Sequence, residues 1–116
     1  MIVGSIGAHR ALEQIVLVMR ELVVRIVVLQ HLPEGGEDNL VAWLTRLGVP
    51  ARIATQGHVL QAGHIAVAGA GRHVEVERSG RIRLRPGAPG DLHVPSADAL
   101  LRSLVGLAPQ VTAVVL

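Results

Sequence analysis

The sequence contains no cysteine, phenylalanine, tyrosine or lysine, and its only indole is Trp43. Without cysteine there is no disulfide framework, no thiolate metal site and no cysteine nucleophile, although the compartment is only weakly constrained. Without Phe and Tyr, a core must be filled by Val, Leu, Ile and Ala, which pack by shape. At 116 residues, half of them hydrophobic, the chain has room for one core and is expected to form a single domain spanning 1–116. All eleven basic side chains are Arg, and nine acids bring the formal net charge to only +2. The isoelectric point near 11 reflects the missing Lys, Tyr and Cys that titrate at intermediate pH, so it does not argue for a nucleic-acid partner. No long apolar run is present either. Ile15 to Leu29 is interrupted by Arg20, Glu21 and Arg25, whereas a spanning helix needs about 20 largely apolar residues. Met1 runs directly into Ile2-Val3 with no basic segment or cleavage signal, so the expectation is a cytoplasmic protein without membrane insertion.

Periodicity gives the coarse map. Ile2-Val3 predicts a short strand, and Leu12, Ile15, Val16 and Met19 share one helical face. Arg25 to Gln30 holds the continuous run Ile26-Val27-Val28-Leu29, the pattern of a parallel strand covered on both faces. Leu40, Trp43, Leu44 and Leu47 mark a second helix ended by Gly48 and Pro50, with strands expected over Ala51 to Thr55 and His64 to Ala68. From His73 to Arg85 the pattern is a hairpin. A three-residue loop Arg78-Ser79-Gly80, with Gly80 left-handed, opposes Glu77 to Arg81, Val76 to Ile82, Glu75 to Arg83 and Val74 to Leu84, sorting polar from apolar residues. A two-residue loop would put Glu77 opposite Ile82 and mix the faces. After the irregular Pro86-Gly87-Ala88-Pro89-Gly90, Ser96 caps a third helix that buries Ala97, Leu100, Leu101 and Leu104, and Thr112 to Leu116 is a last strand. Strand and helix alternate, so the predicted fold class is α/β, a three-layer Rossmann-like, mostly parallel sheet with a β-hairpin.

Two segments carry chemistry. Gly4-Ser5-Ile6-Gly7-Ala8 and Gln30-His31-Leu32-Pro33 each place a reactive side chain just past a predicted strand, where open α/β sheets bind ligands. A serine hydroxyl needs a base to become a nucleophile, and a histidine is the usual one, so Ser5 and His31 are the candidate catalytic residues. Backbone N–H groups at the start of the following helix could hold a developing oxyanion. The plainer reading is that Ser5 caps a helix and His31 ends a strand. Neither common alternative motif fits. Val3 stands where the Gly-x-Ser-x-Gly elbow needs glycine, and Gln30-His31 stands where a dinucleotide site needs an acid. His58 and His64 lie around a turn, and His9, His73 and His93 are scattered without a compact ligand motif, so no metal is expected. Arg78, Arg81, Arg83 and Arg85 form a solvated face offset by Glu75 and Glu77.

Taken as a set, the residues resemble the catalytic domain of the CheB-type chemotaxis protein-glutamate methylesterases. Ser5-Ile6-Gly7-Ala8 is similar to that family's Ser-Thr-Gly-Gly, and Gln30-His31-Leu32-Pro33 to its Gln-His-Met-Pro. Leu60-Gln61-Ala62-Gly63-His64-Ile65-Ala66-Val67-Ala68, Gly71-Arg72-His73 and His93-Val94-Pro95-Ser96-Ala97-Asp98 match further family strings in the same order. The resemblance implies hydrolysis of glutamyl methyl esters on chemoreceptors by a Ser-His-Asp triad without metal or organic cofactor. Ser5 would be the nucleophile and His31 the general base. It also implies the methylated chemoreceptor as substrate. Ile6, Ala8, Ala70 and Val94 depart from the family's threonine, glycines and arginine. The family's aspartate follows a strand matching Thr112 to Leu116, so the expectation is a domain lacking the family's C-terminal part and any receiver domain. Asp91 and Asp98 are then the nearest candidates for a substitute acid, with Asp98 serving the first helical turn. Two readings stay open: a CheB-like esterase, working as it stands or completed by a partner chain, and a catalytically inactive binding or homo-oligomerisation module.

Overall fold

A computed structural model describes residues 2–4, 9–19, 21, 24–107 and 114–115. Five strands form one parallel sheet: β1 (Ile2–Gly4), β2 (Ile26–Gln30), β3 (Ala51–Ile53), β4 (Ile65–Val67) and, because the next two strands pair separately, β7 (Val114–Val115). Their order is β3-β4-β2-β1-β7, and each neighbouring pair is parallel. Strands β5 (Arg72–Val76) and β6 (Ile82–Pro86) make a separate antiparallel hairpin. Helices α1 (His9–Met19) and α2 (Gly36–Arg46) cover one sheet face, while α3 (Ala97–Leu104) and the hairpin cover the other.

Central strand β2 shows why the layers form. All five of its residues are buried, as a strand with neighbours on both edges and cover on both faces requires. Ile26 and Val28 pack with Leu12 and Val16 of α1 and with Leu40 and Leu44 of α2. Val27 and Leu29 point the other way, into Val74, Val76, Ile82, Leu100 and Leu104. Each of those helices contributes a pair four residues apart, the spacing that puts two side chains on one face. Helix α2 has Glu37 and Asp38 in its first turn and Arg46 in its last, which complements the helix dipole. The expected strands over Ala51 to Thr55 and His64 to Ala68 are real but shorter, because only three residues of each join the ladder.

The hairpin has the sequence-derived register. Val76 pairs with Ile82, Glu75 with Arg83 and Val74 with Leu84. The loop closes through Glu77 N–H to Arg81 O at 2.9 Å and Gly80 N–H to Glu77 O at 2.8 Å. Gly80 has φ 84°, a backbone region that penalises any residue with a Cβ. Glu75 accepts from Arg83 at 2.9 Å and from Arg85 at 2.8 Å, and these guanidinium groups, Arg85 foremost, hold its carboxyl below the usual range. Ser96 caps α3 as expected, accepting from Ala99 N–H at 3.4 Å. Further along α3, Ser103 Oγ accepts from Val76 N–H at 3.0 Å and donates to Leu100 O at 2.6 Å, pinning helix to hairpin.

Candidate active site

The parallel strands bring their carboxyl ends to one side of the sheet. From β1 the chain crosses to β2 on one side, and from α3 it enters β7 on the other, so the order reverses about β1. A crevice beyond the strand ends at such a reversal is where this architecture binds ligands. Gly4 closes β1 and is the Cα partner of Gln30, which closes β2. The next residues in sequence are Ser5 and His31. Ser5 lies outside the described residues.

His31 continues the side of β2 occupied by Val27 and Leu29, and so faces the α3 layer. It is half-buried, and its Nε2 lies 3.1 Å from the Pro95 carbonyl oxygen at the entry to α3. A carbonyl can only accept, so Nε2 carries the proton and the neutral ring keeps its lone pair on Nδ1. The exposed His93 ring packs against it, with centroids 4.7 Å apart and planes tilted by 32°. Gln30 points to the opposite side and is buried, and its Oε1 has no hydrogen-bond partner among the described residues. Beside the Leu32-Pro33 segment opens a groove of about 400 Å³ floored by Leu40 and Trp43, with Asn39 and Arg46 at its rim.

Sequence reasoning missed a second polar centre. The loop after β6 folds back over the polar side of the hairpin and buries His73, which is 2% exposed. His73 Nε2 donates to Asp91 Oδ2 at 2.8 Å, and its Nδ1 accepts from the Ser96 N–H at 3.0 Å. Asp91 also accepts from Ala88 N–H at 2.7 Å. That backbone donor first, and His73 second, hold the Asp91 carboxyl below the ordinary carboxylate range. Asp91 is thus committed to His73 and not in contact with His31, which corrects its assignment as a direct substitute acid. Asp98 occupies the first turn of α3, as expected. The partners in this centre lie 18 residues apart with no local spacing rule to pair them. The only available signal was a histidine among strand residues of a half-covered hairpin.

Elsewhere, His64 Nδ1 donates to the Ala62 carbonyl at 3.2 Å, and burial, then Arg52 and His64, lower the His58 pKa. Among the described residues no group of three His, Asp or Glu side chains converges as a metal site would.

A three-layer α/β domain with a parallel sheet, and with a histidine just past the end of its central strand next to the switch point, is a Rossmann-like domain. A family model described as CheB methylesterase matches residues 1–116. The chain therefore belongs to the CheB methylesterase family. It is 32% identical over 103 residues to a protein-glutamate methylesterase/protein-glutamine glutaminase of Syntrophus aciditrophicus, covering 87% of this chain and 29% of that protein. A protein of the same description from Cereibacter sphaeroides is 35% identical over 119 residues, covering 97% of this chain and 33% of the relative. The chain thus spans about a third of the length of these relatives. The crystal structure of the Thermotoga maritima CheB methylesterase catalytic domain has the same fold, with a TM-score of 0.86 at 22% identity, over 98% of this chain and 64% of that one.

Proposed function

We propose that this chain hydrolyses the γ-methyl esters of glutamate residues on chemoreceptors, with Ser5 as nucleophile and His31 as general base. The observation that carries the reading is the register of β1 on β2, which aligns Gly4 with Gln30 at the switch point, the two residues that Ser5 and His31 follow in sequence. The relatives, protein-glutamate methylesterase/protein-glutamine glutaminases, supply the substrate class.

In this mechanism Ser5 Oγ attacks the ester carbonyl carbon while its proton passes to His31. The tetrahedral oxyanion is held by backbone N–H groups at the start of α1, where a helix offers unpaired donors. Collapse breaks the carbonyl carbon–methoxy oxygen bond, and the proton on His31 leaves with that oxygen as methanol. Water, deprotonated by His31, then attacks the acyl-enzyme and releases the glutamate carboxylate and free Ser5. These steps use only side chains and backbone, so the proposal invokes neither metal nor organic cofactor. No helix among the described residues is long and apolar enough to cross a membrane.

The bond-breaking order is testable. In ¹⁸O-labelled water, a glutamate-methylated receptor should acquire the label in the new γ-carboxylate while the released methanol stays unlabelled. Label in the methanol, or no methanol above the background of receptor alone, would overturn the proposal.

A further inference from the structure

We propose that His73 and Asp91 are positioning residues for His31, linked to it by one run of hydrogen bonds through the peptide group between Pro95 and Ser96. The inference rests on His31 being the base of the ester hydrolysis above. His31 Nε2 donates to Pro95 O at 3.1 Å, and the N–H of that same peptide, on Ser96, donates to His73 Nδ1 at 3.0 Å. His73 Nε2 in turn donates to Asp91 Oδ2 at 2.8 Å. In a trans peptide the C=O and N–H point to opposite sides of a rigid plane, so two histidines grip one amide from its two edges.

The direction of the bonds gives the arrangement a purpose. Every donor along the run points toward Asp91, so each bond polarises the next in the same sense. The Asp91 carboxylate strengthens His73 Nδ1 as an acceptor, and the Ser96 N–H bonded there draws electron density toward the Pro95 oxygen. That oxygen faces His31 Nε2–H and stabilises the ring when it takes up a proton. The run is shielded where it matters, since His73 is 2% exposed and Pro95 is buried, whereas 34% of the Asp91 side chain meets solvent and anchors the far end. The other titratable or charged groups facing the run are His93 against the His31 ring and Arg85 near Asp91. In effect a carboxylate several bonds away adds to the orientation of the histidine.

Asp91→Asn keeps an oxygen for the Ala88 and His73 donors but removes the charge, and Asp91→Ala removes both. On the intact protein, ¹⁵N-resolved NMR of the ring nitrogens should show His31 as the Nε2–H tautomer, shifting to a mixture with Nδ1–H in Asp91→Ala and less so in Asp91→Asn. Methanol release should fall roughly tenfold in kcat for Asp91→Ala with KM unchanged, by analogy with the loss when a hydrogen-bonding partner behind a metal-ligating histidine is removed. Asp91→Glu should restore much of it. If both variants leave the His31 tautomer and kcat as in the parent, whatever happens to thermal stability, the inference is overturned. A tautomer shift in a protein that releases no methanol would uphold the positioning run and reject the esterase reading, so the two failures are distinguishable.

Discussion

His31→Ala is expected to abolish measurable ester hydrolysis. When a serine nucleophile and its histidine base act as one unit, removing either costs on the order of 10⁶ in turnover. The effects do not add, so the double variant Ser5→Ala/His31→Ala should be no slower than either single one. The fold should survive, because His31 is half-buried at a strand end and its one described hydrogen bond is to a backbone carbonyl. Methanol release at matched concentrations of protein, with circular dichroism as a check on folding, measures this. A His31→Ala rate within tenfold of the parent would remove His31 from the mechanism.

The second large effect concerns stability. Leu100 is completely buried where α3 meets the hairpin and the β2 side chains Val27 and Leu29, and no aromatic residue is available to close a gap there. Leu100→Ala should cost about 2–5 kcal/mol, through lost transfer energy and the cavity left behind. That is a large share of the total stability of about 5–15 kcal/mol typical of a domain. Val105→Ala, at a side chain 76% exposed, should stay within roughly 0.5 kcal/mol. Urea unfolding of the three proteins tests the pair. Equal midpoints would mean that α3 is not packed as described. The consequence reaches the candidate active site, because Ser96 caps α3 and Pro95 at its entry holds His31.

Much of this architecture was legible in the sequence because one rule dominated at each place. The unbroken apolar run of β2 announced a central parallel strand, and the hairpin register followed from pairing Glu75 with Arg83 and Val74 with Leu84. A two-residue loop would have set Glu77 against Ile82 and mixed polar with apolar residues. Ser96 was readable as a cap because a short oxygen side chain preceded an amphipathic run. The His73–Asp91 pair was not readable. It depends on how the Pro- and Gly-rich segment after β6 folds back, and such a loop carries no periodicity from which a partner could be deduced. His31's contact with Pro95 is equally non-local, 64 residues apart, and it fixes which ring nitrogen bears the proton. Residue types thus pointed to a Ser-His pair, while the hydrogen bonding of its histidine came only from tertiary structure.

The most direct test of Ser5 and His31 as a hydrolytic pair is methanol release from a glutamate-methylated chemoreceptor by the parent protein and by Ser5→Ala at matched concentration. The parent should release methanol steadily and the variant should remain at the rate of receptor alone. Equal rates from the two proteins, whether at background or above it, would contradict the assignment of Ser5 as the nucleophile of an esterase.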